Sequence, residues 1–260
     1  MQFSVLGSGS KGNATYIATA QTAILIDGGF SGVEIERRLG SIGAHLQSIS
    51  AILLTHEHND HIRGVGVLSR RGKLPVYANQ GTLEAAGDNL KNLHQYVEFH
   101  TGDTFRINEL SIHPFSISHD TRDPVGFVVS DGACSIGYCT DTGRVTKLMQ
   151  HRLGGCHALI LESNHDPELL RNGPYPAFLK QRVAGKAGHL ANFEAAGFLE
   201  DLIHDGLEHV VLAHLSETNN LPERAYETAR DILPVNGQKL HLTIAAQDNP
   251  TPLFSLNDRR

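Results

Sequence analysis

The chain has 260 residues, 40% of them apolar, with 22 Lys and Arg against 28 Asp and Glu for a net charge of −6. This composition excludes a disordered chain. The acidity excludes coating of nucleic acid by bulk charge, though not a local basic groove.

No apolar run nears the ~20 residues of a membrane helix, and Met1–Leu6 lacks the basic and long apolar regions of a signal peptide. Cys134, Cys139 and Cys156 have no metal or redox spacing, so the expectation is a cytoplasmic protein with reduced thiols. No repeat, low-complexity tract or Pro/Gly-rich linker divides the sequence, so a single domain spanning 1–260 is expected. Phe3–Gly7 reads as a strand entering the turn-rich Gly7–Asn13. Strands follow at Ala14–Ala18 and Thr22–Ile26, the second ending at Asp27-Gly28-Gly29. Val33–Leu39 has helical spacing with Gly40 as its stop. Ser50–Leu54 is an apolar strand that ends in Thr55-His56. Further strands are expected at Pro75–Tyr77, Val97–Phe99, Thr104–Ile107, Leu110–Phe115, Gly126–Ser130, Ser135–Thr140, Ala158–Leu161, Val210–Ala213 and Leu240–Ala245. Helices are expected at Ile62–Arg70, Gly81–Asn89, Arg144–His151, Pro176–Ala184, Asn192–His204 and Pro222–Leu233. The pattern reads as antiparallel strands early and late with helices between, which two helix-covered sheets accommodate.

Sixteen histidines exceed any structural need, and their clustering points to metal. His56-Glu57-His58-Asn59-Asp60-His61 follows an apolar strand. At an extended strand end His56 and His58 face one side and can chelate one cation; Asp60 and His61, past the turn, can face a second. Three later residues each stand one step beyond a strand: His119, Asp141 and His214. The expectation is that His119 completes the first metal, His214 the second, and Asp141 bridges them, around a shared water. Imidazole and carboxylate donors suit zinc or manganese.

With these residues in view, the sequence resembles the metallo-β-lactamase fold superfamily along its whole length: a strand-ending Asp27, the H-x-H-x-D-H word, then the separate His119, Asp141 and His214. Within it the YycJ/WalJ-type subgroup is closest. The words that carry this are Gly7–Asn13, Leu161-Glu162-Ser163-Asn164-His165-Asp166, Arg171–Pro176, Gly188-His189-Leu190-Ala191-Asn192 and His214–Asn220. Position 191 is Ala where the pattern expects Ser. The resemblance implies an α/β fold, the four-layer αββα sandwich, with metals on the rim between its sheets. It implies a dinuclear metal-dependent hydrolase. For this subgroup it implies a phosphodiesterase that acts as a 5′-to-3′ exonuclease on single-stranded DNA, a metal-bridged hydroxide being the nucleophile. The alternative is a thioester or lactam hydrolase on the same fold; a non-enzymatic metal binder would have lost ligands, and all six donors are present.

His189 is the expected general acid or phosphate contact, because a leaving alkoxide needs a proton and imidazole titrates near working pH. Its Gly-His word resembles one in tRNA-processing nucleases of the superfamily, and the alternative is a histidine that N-caps the next helix. With Asp60 and Asp141 it forms the expected catalytic set. Asp27 is expected to orient the His56–His61 loop. Glu162, Asn164, His165 and Asp166 are expected to accept hydrogen bonds from metal-bound imidazoles, His165 being a candidate for direct contact with metal or substrate. Arg171, Lys180, Arg182 and Lys186, interleaved with Tyr175 and Phe178, form a candidate nucleic-acid groove. The Ser8–Asn13 loop offers N–H groups and hydroxyls to a terminal phosphate. Arg63, Arg70, Arg71 and Lys73 read as a solvated helix face.

Overall fold

The computed structural model describes residues 1–233 and 240–256. In chain order the elements are β1 (Gln2–Gly7), β2 (Ala14–Ala18), β3 (Ala23–Ile26), α1 (Gly32–Ser41), β4 (Ile49–Leu53), α2 (Asn59–Ile62), α3 (Val65–Gly72), β5 (Pro75–Ala78), α4 (Gln80–Ala86) and β6 (Gln95–Glu98). The second half holds β7 (Phe105–Ile107), β8 (Leu110–Ser116), β9 (Val125–Ser130), β10 (Ser135–Cys139), α5 (Lys147–Leu153), β11 (Ala158–Glu162), α6 (Pro167–Asn172), α7 (Ala177–Val183), α8 (Asn192–Leu202), β12 (His209–Ala213), α9 (Pro222–Arg230) and β13 (His241–Ile244). β14 (Phe254–Ser255) returns to pair with β1. Among the described residues the strands form two seven-membered sheets, β14-β1-β2-β3-β4-β5-β6 and β13-β12-β11-β10-β9-β8-β7.

The strands are apolar on both faces because both faces are covered. In β4, Ala51 and Leu53 enter the core between the sheets, while Ile52 faces the outer helices. In β11, Ala158 and Ile160 point inward and Leu159 and Leu161 outward. Ile35 and Leu39 of α1 and Val65 and Leu68 of α3 cover the first sheet. Met149 and Leu153 of α5, Phe198 and Leu199 of α8, and Ala225 and Ala229 of α9 cover the second. Helices, sheet, sheet and helices make the expected four-layer αββα sandwich.

Several expectations need correction. The late strands are parallel: β11, β12 and β13 follow β10 in register pairs such as Ile136↔Ala158, Leu159↔Val210 and Val211↔Thr243. Each is reached through a helix-bearing crossover, and a crossover reverses the antiparallel direction that a tight turn would give. The antiparallel hairpins lie early and in the middle, at β1–β3 and β7–β10. The helix expected at Ile62–Arg70 is split, because Gly64 lies so close to Phe30 that a Cβ there would meet its carbonyl oxygen at 2.1 Å. Helix α5 starts at Lys147 rather than Arg144, capped by the Thr146 hydroxyl. Gly40 lies inside α1. Helix α6 was not expected; Asp166 caps it and Pro167 opens it.

Candidate metal centre

One rim of the sandwich collects the site. β3 and β4 are parallel, as are β10, β11 and β12, so their C-terminal ends share an edge within each sheet. Two antiparallel steps, β10 to β9 to β8, bring the end of β8 to that same edge. From these ends come Asp27, His56, His119, Asp141, Glu162 and His214. Asp27, Asp141 and His214 have φ of 62°, 60° and 55°, a left-handed conformation that costs non-glycine residues of order 1 kcal/mol or more. Three strained strand exits around one point indicate a function that needs the side chains turned there.

Two donor clusters converge: His56, His58 and His119, and Asp60, His61 and His214. His119 Nε2 lies 3.2 Å from His58 Nδ1, a distance at which the two nitrogens share a proton and from which both could bind one cation. Asp141 stands between the clusters. Its Oδ2 is 3.4 Å from His61 Nε2, and its Oδ1 is 3.9 Å from His119 Nε2 and 3.3 Å from His214 Nδ1.

The imidazoles are oriented from behind. His61 Nδ1 donates to Asp27 Oδ2 at 2.8 Å, and His214 Nδ1 to Glu162 Oε1 at 3.0 Å. His56 Nδ1 donates at 3.0 Å to the Thr55 hydroxyl, which donates in turn to Asp27 at 2.9 Å. His119 Nδ1 donates to the Gly188 carbonyl at 3.2 Å. In each ring the other nitrogen, Nε2, is left to serve as the donor, the arrangement metal-binding histidines favour. Three buried atoms confirm the fit: His56 Nε2, His214 Nε2 and Asp141 Oδ2 have no hydrogen-bond partner. Buried polar atoms are rarely abandoned, and these three are soft or charged donors around one space.

The charges agree. Burial alone would raise the Asp141 carboxyl and lower His61 and His214. Instead Asp141 is held well below the carboxylate range by His214 and His61, and His61 is lifted well above the usual imidazole value by Asp141, Asp27 and Asp60. His214 is lifted to about 10 by Asp141, Asp60 and Glu162. Burial outweighs neighbours at His56 and His119, which it holds below the usual imidazole value, and at Asp27, which it raises. Protons on imidazoles thus supply positive charge that the carboxylates demand, and a divalent cation would displace them.

The remaining candidates divide. Asp27 is fully buried and, as expected, holds the His56–His61 loop, accepting from Thr55 as well as His61. Glu162 accepts from five groups: Asp141 N, Thr142 N, Leu190 N, His189 Nδ1 and His214 Nδ1. It sits with Asp141, His189 and His214 as a further possible donor group. His189 Nδ1 is 2.8 Å from Glu162, and the ring lines the cleft; Ala191, not His189, is the N-cap of α8. A serine at 191 would therefore sit at a helix cap. Asn164 donates to the His214 carbonyl. His165 is buried outside both donor clusters, its Nδ1 unpartnered, so the structure does not bring it to the candidate ions. Asp166 is spent on capping α6.

A cleft of about 240 Å³ opens on the donors, lined also by Ser10, Tyr175, Leu179, Arg182, Val183 and His189. Arg182 and Tyr175 reach it; Lys180 turns away to the Arg171 carbonyl, and Phe178 is 72% exposed. The Ser8–Asn13 loop does not offer a row of N–H groups. Ser8, Gly9, Lys11, Gly12 and Asn13 all spend theirs within the protein, and the Ser8 hydroxyl lies between Asn13 Oδ1 and the His214 N–H. Arg71 pairs with Glu36 and the other cations of that cluster stay at the surface, as expected. Three contributors escaped the sequence reading. Thr55 relays Asp27 to His56. Asn13 sets its amide 3.1 Å from His61 Nε2. Asp120 pairs with Arg182. Adjacency to His56 and His119 could have flagged Thr55 and Asp120.

The family model of the beta-lactamase superfamily domain matches residues 22–215. The chain is 38% identical over 239 residues to the exodeoxyribonuclease YycJ of Bacillus anthracis, covering 91% of this chain and 90% of the relative. It is 37% identical over 232 residues to the exodeoxyribonuclease WalJ of Streptococcus pneumoniae, covering 87% and 86%. The metallo-beta-lactamase fold protein YhfI of Bacillus subtilis superposes with a TM-score of 0.72 at 16% identity, covering 96% of this chain and 98% of that one.

Proposed function

The chain belongs to the beta-lactamase superfamily, and within it we propose a dinuclear metal-dependent phosphodiesterase that degrades single-stranded DNA from its 5′ end. The observation that carries the metal reading is the set of unpartnered buried donors, His56 Nε2, Asp141 Oδ2 and His214 Nε2, between two three-residue clusters. The substrate reading rests on two exodeoxyribonucleases at 37–38% identity along most of the chain. Nothing in the site favours a thioester or lactam.

His56, His58 and His119 would hold one ion and Asp60, His61 and His214 the other, with Asp141 between them; the N/O donor set accepts zinc or manganese. When bound, two such cations supply Lewis-acid charge to a phosphate oxygen and to an attacking water. The protein's own residues do the rest. Asp27, Thr55, Gly188 and Glu162 fix the rings from behind, so the donors need no reorganisation. Glu162 Oε1 accepts from His189 Nδ1–H, which turns Nε2 toward the cleft; in the doubly protonated ring Nε2–H can give its proton to the leaving oxygen, and the ring is left neutral with its proton on Nδ1. Leu179 and Val183 make one wall of the cleft apolar. The described residues contain no helix long and apolar enough to cross a membrane, and a cytoplasmic location, with its DNA, suits the proposed substrate.

The test is a substrate panel: 5′-phosphorylated single-stranded DNA, RNA, a bis-phosphodiester and a thioester, each with zinc or manganese. Release of mononucleotides from DNA supports the reading. Turnover of the thioester alone would end it.

A further inference from the structure

The cleft holds polar groups that the metal donors do not use. Helix α7 buries none of its residues, yet its Leu179, Arg182 and Val183 wall the cleft on which His58, Asp60, Asp141, His189 and His214 open. Arg182 is pinned there. Its Nε donates to Asp120 Oδ2 at 2.5 Å, and Asp120 Oδ1 lies 3.6 Å from His119 Nε2. Only Nε is engaged: among the described residues, the guanidinium Nη atoms of Arg182, the phenol of Tyr175 and the hydroxyl of Ser10 have no hydrogen-bond partner within the protein. A fixed guanidinium fork and two hydroxyls, from three segments that supply no metal donor, converge on one small space. That set suits phosphate, whose oxygens only accept.

We propose that Arg182, held by Asp120 and assisted by Tyr175 and Ser10, receives the terminal phosphate of the DNA end from which digestion starts. This rests on the nuclease reading above. One carboxylate separates the guanidinium from the metal-facing nitrogens, so a phosphate held there is the neighbour of the one being cleaved. The cleft is small, about 240 Å³. Asp120 is a positioning residue: it keeps the Arg182 fork aimed without touching substrate.

The experiment uses one single-stranded oligonucleotide in three forms, with a 5′-phosphate, a 5′-hydroxyl, or a 5′-hydroxyl and a 3′-phosphate. It follows digestion by the metal-loaded enzyme and, on phosphorothioate-linked versions, equilibrium binding by fluorescence anisotropy. The wild type should prefer the 5′-phosphate about tenfold or more in both readouts, the size expected of a charge-assisted pair. Arg182→Gln should bring that ratio close to one, and Arg182→Lys should restore part of it. The Arg182 side chain is 57% exposed, so neither variant threatens the fold. Equal handling of the three forms by the wild type, a preference for the 3′-phosphate, or a preference that survives Arg182→Gln would overturn the proposal while leaving the nuclease reading intact. Failure to digest any of the three would overturn both.

Discussion

Glu162→Gln is the sharpest perturbation of the centre, because it changes one atom in a fully buried side chain that accepts five hydrogen bonds. Oε2 takes Thr142 N at 3.1 Å and Leu190 N at 2.9 Å; Oε1 takes Asp141 N, His189 and His214. An amide NH2 in either place faces donors only, so at least two accepted bonds are lost. At ~1.5 kcal/mol for each bond to a charged acceptor, the cost is about 3 kcal/mol. For a chain of this size that lowers the melting temperature by roughly 6–12 °C. Relief of repulsion between Glu162 and Asp141 offsets part of this loss in metal-free protein, so the melt belongs in saturating zinc. With the NH2 at the Oε2 position, His214 Nδ1 keeps an acceptor, but a neutral and weaker one, and metal affinity should fall by about 10–100-fold in competition with a chromophoric chelator. A Glu162→Gln protein that melts within a degree of the parent and binds zinc equally well would refute the claim that this carboxylate organises the site.

Asp60→Ala should lower bound metal together with activity, whereas His189→Ala should lower kcat by about 10²–10⁴-fold with metal content unchanged; elemental analysis beside a DNA digestion assay separates them. Metal loss in the His189 variant would mean that it is a ligand. Gly29→Ala should displace the H-x-H-x-D-H loop, since a Cβ at position 29 would lie 1.6 Å from the Asp60 carbonyl oxygen, and both the melting temperature and metal content should drop. Burial holds His165 at about 4, below the usual imidazole value. The unfolded chain therefore takes up a proton between about pH 6.5 and 4 that the folded chain refuses, and stability falls as pH falls through that window. Replacing His165 with Gln should flatten this part of the pH–stability curve relative to the parent, by up to about 3 kcal/mol across it. An unchanged slope would show that His165 is protonated in the fold.

Much of this was legible in the residues. The word His56–His61 after an apolar strand, and the isolated His119, Asp141 and His214 one step beyond later strands, locate the rim, because a strand end is where a chain turns side chains toward a shared edge. Glu162 and Asp27 were visible as partners, though not that Glu162 collects five donors from three segments. Strand direction was hidden, since β11 and β12 read the same in either sense and only their helical crossovers decide it. The Gly64 break was hidden because it answers to Phe30, far away in sequence. Asp166 is expected as a partner of the imidazoles, whereas it caps α6, which Pro167 opens. The Ser8–Asn13 loop misled in the other direction: its glycines suggested open N–H groups, but Gln247, Asp60 and Ala246 take several of them.

Titrating zinc or manganese into chelator-stripped protein while following nucleotide release from 5′-phosphorylated single-stranded DNA is the most direct test of the two-cluster centre. Activity should be absent at first and level off at two ions per chain. A plateau at one ion, or full turnover with none added, would contradict it.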